Sequence, residues 1–347
     1  MSEEEKIESQ PRPYLEAQKT EIHYTYARFH RRIFANLTDF LIFALTFAAF
    51  FAIIRAIIIV TPDYVAKEER MMTIRKDSGM YQQNTEGKWF DTVSFYADSV
   101  NGFTGFAKMV GAREAIDQFI VYVNDNVSSE SADIVRKDYD SYRLNPKLAY
   151  QGKPYFILQD GEIIRNPDCA ANAETVFTYA YAPFIDEHCQ GYLITLIPEY
   201  LALTRWETTV FIAGEIVPAY LIAPILTYFV PTLGFRRGRA TFGKKMYQIG
   251  LVDSRLLVPT FRRSLARFAI LYFAEYLLAP FTFAIPFLVS ASVMAFSKAH
   301  QGLPDYFLGL YEVDVSQNKI YFSREEILLS GAAESKKPVD FKPTYED

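Results

Sequence analysis

The chain has little with which to build a familiar active site. Its 347 residues include two cysteines, Cys169 and Cys189, and four histidines, His23, His30, His188 and His300. Neither H-E-x-x-H nor G-x-S-x-G occurs, which excludes the commonest zinc-peptidase and serine-hydrolase constellations. Two cysteines and the neighbouring His188 lack the fourth ligand and the close spacing of a structural zinc site. One near miss remains. Residues 238–244 read GRATFGK, most of a phosphate-binding loop, but Lys245 stands where Ser or Thr would hold magnesium. A membrane-length run and FRRGR, not a strand, precede it. No enzyme, cofactor, metal or nucleic-acid partner is expected.

Charge of one sign is not in excess either: the formal net charge is −5 and the mean hydropathy is zero. That average hides a segregation of long apolar runs from charged stretches. After a polar, acidic, Pro-interrupted tail (1–27), residues 28–60 hold an apolar run from Ile33 to Val60, broken by Asn36, Asp39 and Arg55. At ~1.5 Å per residue it exceeds the ~30 Å hydrocarbon layer. It is also longer than the roughly 7–15 apolar residues of a cleaved signal peptide. An uncleaved membrane helix is the expectation, with the bilayer as first partner. A second span is expected over 208–230, with Glu215, Pro218 and Pro224 inside it. A third apolar region, 266–297, is broken by Pro280 and Pro286. It reads either as one long span or as a helical hairpin that enters and returns.

Basic residues set the expected orientation. Arg28, Arg31 and Arg32 precede the first span, and residues 231–265 carry eight Lys/Arg against one acid, Asp253. Both stretches are expected in the cytoplasm, with the N-terminus. Residues 61–207 then lie outside, and 61–205 carry 14 Lys/Arg against 21 Asp/Glu. This outer segment is long enough for a domain of its own. KPYFILQDGEIIRN alternates around Asp160-Gly161, a hairpin signal. GAREAIDQFIVYVNDNV and SADIVRKDYDSYRL read as helices. An α+β extracytoplasmic domain follows. Outside the membrane, Cys169 and Cys189 could close a disulfide worth roughly 3 kcal/mol, or remain free thiols. At the C-terminus, LGLYEVDV and KIYFS suggest a short β-hairpin within 298–325, followed by a polar tail (326–347).

Three intramembrane acids need partners. Arg28, Arg32, Asn36 and Asp39 share one helical face. Asp39 lies about two turns further in than Arg32, where an ionised carboxylate is unfavourable by several kcal/mol unless paired or hydrated. It is either a structural anchor bonded to a basic residue of another segment or a proton or cation site. Glu215 and Glu275 pose the same choice, and a cavity joining them to Asp39 would make a cation path.

Three motifs, in order, resemble the RDD family of bacterial membrane proteins. The first is RRIFANLTDF, in which Arg32, Ala35 and Asp39 fit R-x-x-A-x-x-x-D. The second is ATFGKKMYQIGLVDS, with Thr241, Gly243, Lys244, Lys245, Gly250, Leu251 and Val252. The third is HQGLPDYFLGLYEV, with Gly302, Leu303, Asp305, Gly309 and Val313. Pro304 stands where the family pattern has histidine and Leu308 where it has alanine. The resemblance covers about 28–60 and 208–315, with the outer domain as an insertion. It implies a multi-pass protein of the bacterial cell (plasma) membrane. For the family, transport of unidentified ligands is suggested, and cation/proton antiport is proposed for some members.

The expected fold is therefore an α-helical integral membrane protein with three spans and an inserted α+β extracytoplasmic domain. Two functions fit. One is a small transporter or cation/proton exchanger, with Asp39, Glu215, Glu275 and Asp305 as sites and Arg32 as a charge partner; three spans are few, so a homo-oligomer would serve it. The other is a scaffold or envelope sensor whose outer domain binds an envelope or membrane protein. Its basic loop would touch anionic headgroups, at about 1 kcal/mol per basic residue. If IGLVDS and LGLYEV pair, both lie on one side of the membrane and the third region must be a hairpin.

Overall fold

The computed structural model describes residues 24–297, 299–316 and 319–326. The chain divides into two compact units, one of residues up to Ile53 together with Val217 onward, the other Ile54–Ile216. The terminal tails expected at 1–27 and 326–347 fall mostly outside the described residues.

Among the described residues, three helices are long and apolar enough to cross a membrane: Phe29–Ile58, Pro198–Gly234 and Phe261–Phe281. The second begins ten residues before the expected boundary and remains helical throughout. Proline inside a helix removes a backbone hydrogen bond and crowds the preceding turn. After Pro224 the helix widens into a π-helical stretch, Ile225–Phe229, which absorbs that misfit. The third apolar region is not one helix. Its first arm ends at Phe281, Phe283 and Ala284 both take left-handed backbone conformations (φ 50° and 62°), and a helix Ile285–Phe296 follows. The reversal falls between Pro280 and Pro286.

That reversal brings together two strands far apart in sequence. β7 (Ile249–Val252) pairs antiparallel with β8 (Tyr311–Asp314), Gly250 opposite Val313 and Leu251 opposite Glu312. Among the described residues, KIYFS forms no strand and pairs with no part of LGLYEVDV as the expected hairpin would. The strand edge that KIYFS was to occupy goes to β7, because Ile249, Leu251 and Val252 bury their side chains there. Tyr24, Val252, Val258, Val313 and Ile320 make the small core of this sheet. A second cluster, Phe43, Ala223, Tyr228, Leu271 and Tyr276, packs the three long helices on one another.

The unit Ile54–Ile216 is mostly helical, with three two-stranded β-ribbons: β1–β2 (Tyr81–Gln83, Trp89–Asp91), β3–β4 (Ala149–Tyr150, Lys153–Pro154) and β5–β6 (Phe156–Gln159, Glu162–Arg165). The last turns at Asp160-Gly161, both with positive φ, as the sequence signal requires. Helices Gly105–Asn126 and Ser129–Arg143 cover the two segments read as helical. Their apolar faces enclose Ile116, Phe119, Val123, Val135 and Phe184. Cys169 and Cys189 are both buried and free, so the expected disulfide is not formed. Cys189 packs as a small apolar side chain in that core, while Cys169 Sγ lies 3.7 Å from the Lys153 carbonyl oxygen.

Candidate functional site

Five buried charges meet where the first span, the loop after the second, the third span and β8 converge. Arg267, near the start of the third span, donates from Nε and Nη2 to the two oxygens of Asp305 at 2.5 and 3.0 Å. Lys244 Nζ lies 2.5 Å from Glu312 Oε1 and 3.7 Å from Asp305 Oδ2. Arg32 Nε lies 3.6 Å from Glu312 Oε2. Its guanidinium also donates to the carbonyls of Ala27, Ala299, His300 and Glu312, at 2.6–2.9 Å. All five side chains are buried, so each charge depends on these partners. Burial alone would raise the Asp305 carboxyl, but the guanidinium of Arg267 and then the ammonium of Lys244 outweigh it and hold it below the usual carboxylate range.

Asp39 is buried beside this cluster but takes no basic partner within salt-bridge distance among the described residues. Its Oδ1 accepts the Gly243 amide at 2.7 Å and its Oδ2 the Thr241 hydroxyl. Thr241 in turn caps the one-turn helix Phe242–Met246. Two neutral donors at the start of that helix stand in place of the basic partner expected from another segment. Gly243 has its own reason to be glycine. A Cβ there would stand 2.2 Å from the Ala35 carbonyl oxygen, so it permits contact between the loop and the first span, not a turn. Gly238 does turn the chain, at φ 84°, and abuts Gly250, whose own Cβ would meet Ile320.

Of the two lysines, each expected either at headgroups or as a partner of Asp39 or Asp305, Lys244 is buried in the ion-pair cluster beside Asp305 and Lys245 is exposed. Arg32 is a partner of Glu312, not of Asp39. Glu215 belongs to the other unit, where its carboxylate receives Arg55 Nη1 at 3.0 and 3.2 Å.

Glu275 is differently placed. It sits in a π-helical stretch of the third span, Leu271–Tyr276, is 6 % exposed, and its Oε1 has no hydrogen-bond partner among the described residues. It lines a cavity of about 250 Å³ together with Lys244, Arg267, Asp305, Glu312, Ser290 and four aromatic side chains. Asp39 and Glu215 do not line it. Arg267 and Glu312 were not singled out in the sequence. Arg267 passes for a boundary charge, and Glu312 is one of two acids in the short strand Tyr311–Asp314. Of those two acids, Glu312 is the one flanked by Tyr311 and Val313 and buried, and that position within the strand was the available signal.

Apolar helices of spanning length, closed on one another around buried ion pairs, define a helical membrane protein. Residues 180–309 match the RDD family model, so the chain carries an RDD family domain. The match begins inside the segment between the first two spans and includes Asp305, Glu275 and Lys244, while Arg32, Asp39 and Glu312 lie outside it. No curated protein and no solved structure matches the chain.

Proposed function

We propose that the chain exchanges protons for cations, with Glu275 as the carboxylate that both compete for. The observation that carries this reading is the uncommitted Oε1 of Glu275 in a cavity within a membrane-length apolar helix. Membrane carboxylates so placed face ion or proton paths as a rule. The other acids are committed: Asp305 to Arg267, Glu312 to Lys244 and Arg32, Asp39 to Thr241 and Gly243. The charged residues lining the cavity are two bases and three acids, so one proton or one cation brings their formal sum to zero.

The test is cation-driven proton movement in proteoliposomes, followed with a pH-sensitive dye. Glu275→Gln should abolish it with normal protein levels, and Glu275→Asp should keep part of it. Undiminished flux in Glu275→Gln removes that residue from any carrier role. The scaffold reading rests on a different observation, the separate core of the unit Ile54–Ile216. Loss of partner capture with intact flux, after deletion of residues 70–200, would favour it.

A further inference from the structure

We infer that the cation taken by the Glu275 cavity is a small organic ammonium with an apolar tail, entering sideways from the lipid. This rests on the reading of Glu275 as the cation site. Three observations lead to it. The cavity offers one uncommitted carboxylate oxygen, whereas a bare hard metal cation asks for about six oxygen ligands. Beside its charged wall stands an aromatic one: Phe40, Tyr228, Tyr276 and Phe287 all line it. Tyr276 and Phe287 meet edge to face, ring centroids 5.0 Å apart at 81°, and Tyr228 lies 5.2 Å from Tyr276. A corner of rings next to a carboxylate with one free oxygen is an arrangement that binds alkylammonium groups.

Size and access complete the argument. At about 250 Å³ the cavity falls below the roughly 300–1,000 Å³ that hold drug-sized ligands, so it accommodates a head group and not a long molecule. The exposed residues on its rim, Asn36, Phe40 and Ala291, stand on the helices Phe29–Ile58 and Ile285–Phe296. The mouth therefore opens between two apolar helices, where a hydrocarbon tail can remain in lipid while the head group reaches Glu275. Lys244 and Arg267 do not repel it, because each already holds an acid.

The probe is radiolabelled decyltrimethylammonium, below its micellar concentration, bound to the full chain in nanodiscs and measured by equilibrium dialysis. Saturable binding near one per chain is expected. It should weaken at least about tenfold in Glu275→Gln and several-fold in Phe287→Leu, and be unchanged in Glu130→Gln on the exposed face of the other unit. Decanol, of the same tail and no charge, should not displace the probe even if Glu275→Gln proves unstable. Displacement by decanol, or binding indifferent to both Glu275→Gln and Phe287→Leu, overturns the inference. So does complete displacement by millimolar sodium, which makes the site one for a bare ion and leaves the exchange reading intact. Glu275-dependent binding without movement of protons by either cation upholds the ammonium site and removes the exchange.

Discussion

A methyl group on Gly243 would sit 2.2 Å from the Ala35 carbonyl oxygen and 2.9 Å from Asp39 Cγ, and both neighbours are held by their own contacts. Overpacking at such a contact costs typically 1–3 kcal/mol. Gly243→Ala should lower the thermal midpoint of the detergent-solubilised protein, and a midpoint within error of wild type would show that the loop can shift. Asp305 makes a second prediction, by pH. Its folded carboxyl titrates below its unfolded value, so its contribution is complete above about pH 4–5 and is lost as pH falls through the folded value. Melting between about pH 3 and 6 should show a falling midpoint at the acid end, and Asp305→Asn should flatten that fall. Lys244→Met strands Glu312 with only the more distant Arg32, and breaking a buried pair costs about 3–5 kcal/mol. Chemical unfolding would measure this loss.

The reversal at Phe283–Ala284 sets the character of the third apolar element. A left-handed conformation costs an L-residue roughly 1–2 kcal/mol, while glycine's extra freedom in the unfolded chain costs about 0.4–1. The first term is the larger, so Ala284→Gly should raise the melting midpoint slightly; a fall would mean that the Ala284 methyl contributes packing. The two prolines made this break readable in the sequence, as alternation made the β5–β6 hairpin and length made the first span. In the sequence both IGLVDS and KIYFS are candidates to pair with LGLYEVDV, and only the first does, because alternation shows that a strand exists and not which edge it meets. The same limit explains the site. Asp39, Lys244 and Asp305 were visible as odd charges in the pattern, but pairing is a property of distance. The sequence cannot say that lysine 244 faces Glu312 while threonine 241 faces Asp39. The free oxygen of Glu275 was invisible for that reason too.

At the scale of the whole molecule, the unit Ile54–Ile216 has a core made from its own residues, from Met71 to Tyr200. Residues 61–207 expressed alone should therefore unfold cooperatively on heating, seen by circular dichroism; a gradual, featureless melt would mean that the core depends on the rest of the chain. Unit one has a different logic, because its closing contact is the β7–β8 ladder. The entire third apolar region lies between those strands in the chain, so pairing them closes a loop that contains both arms of that region. Closing so long a loop carries an entropic cost that only the later contacts offset. Lys244, just before β7, meets Glu312 within β8 across that same closure, so the charged wall of the cavity is shared by segments on either side of the third apolar region.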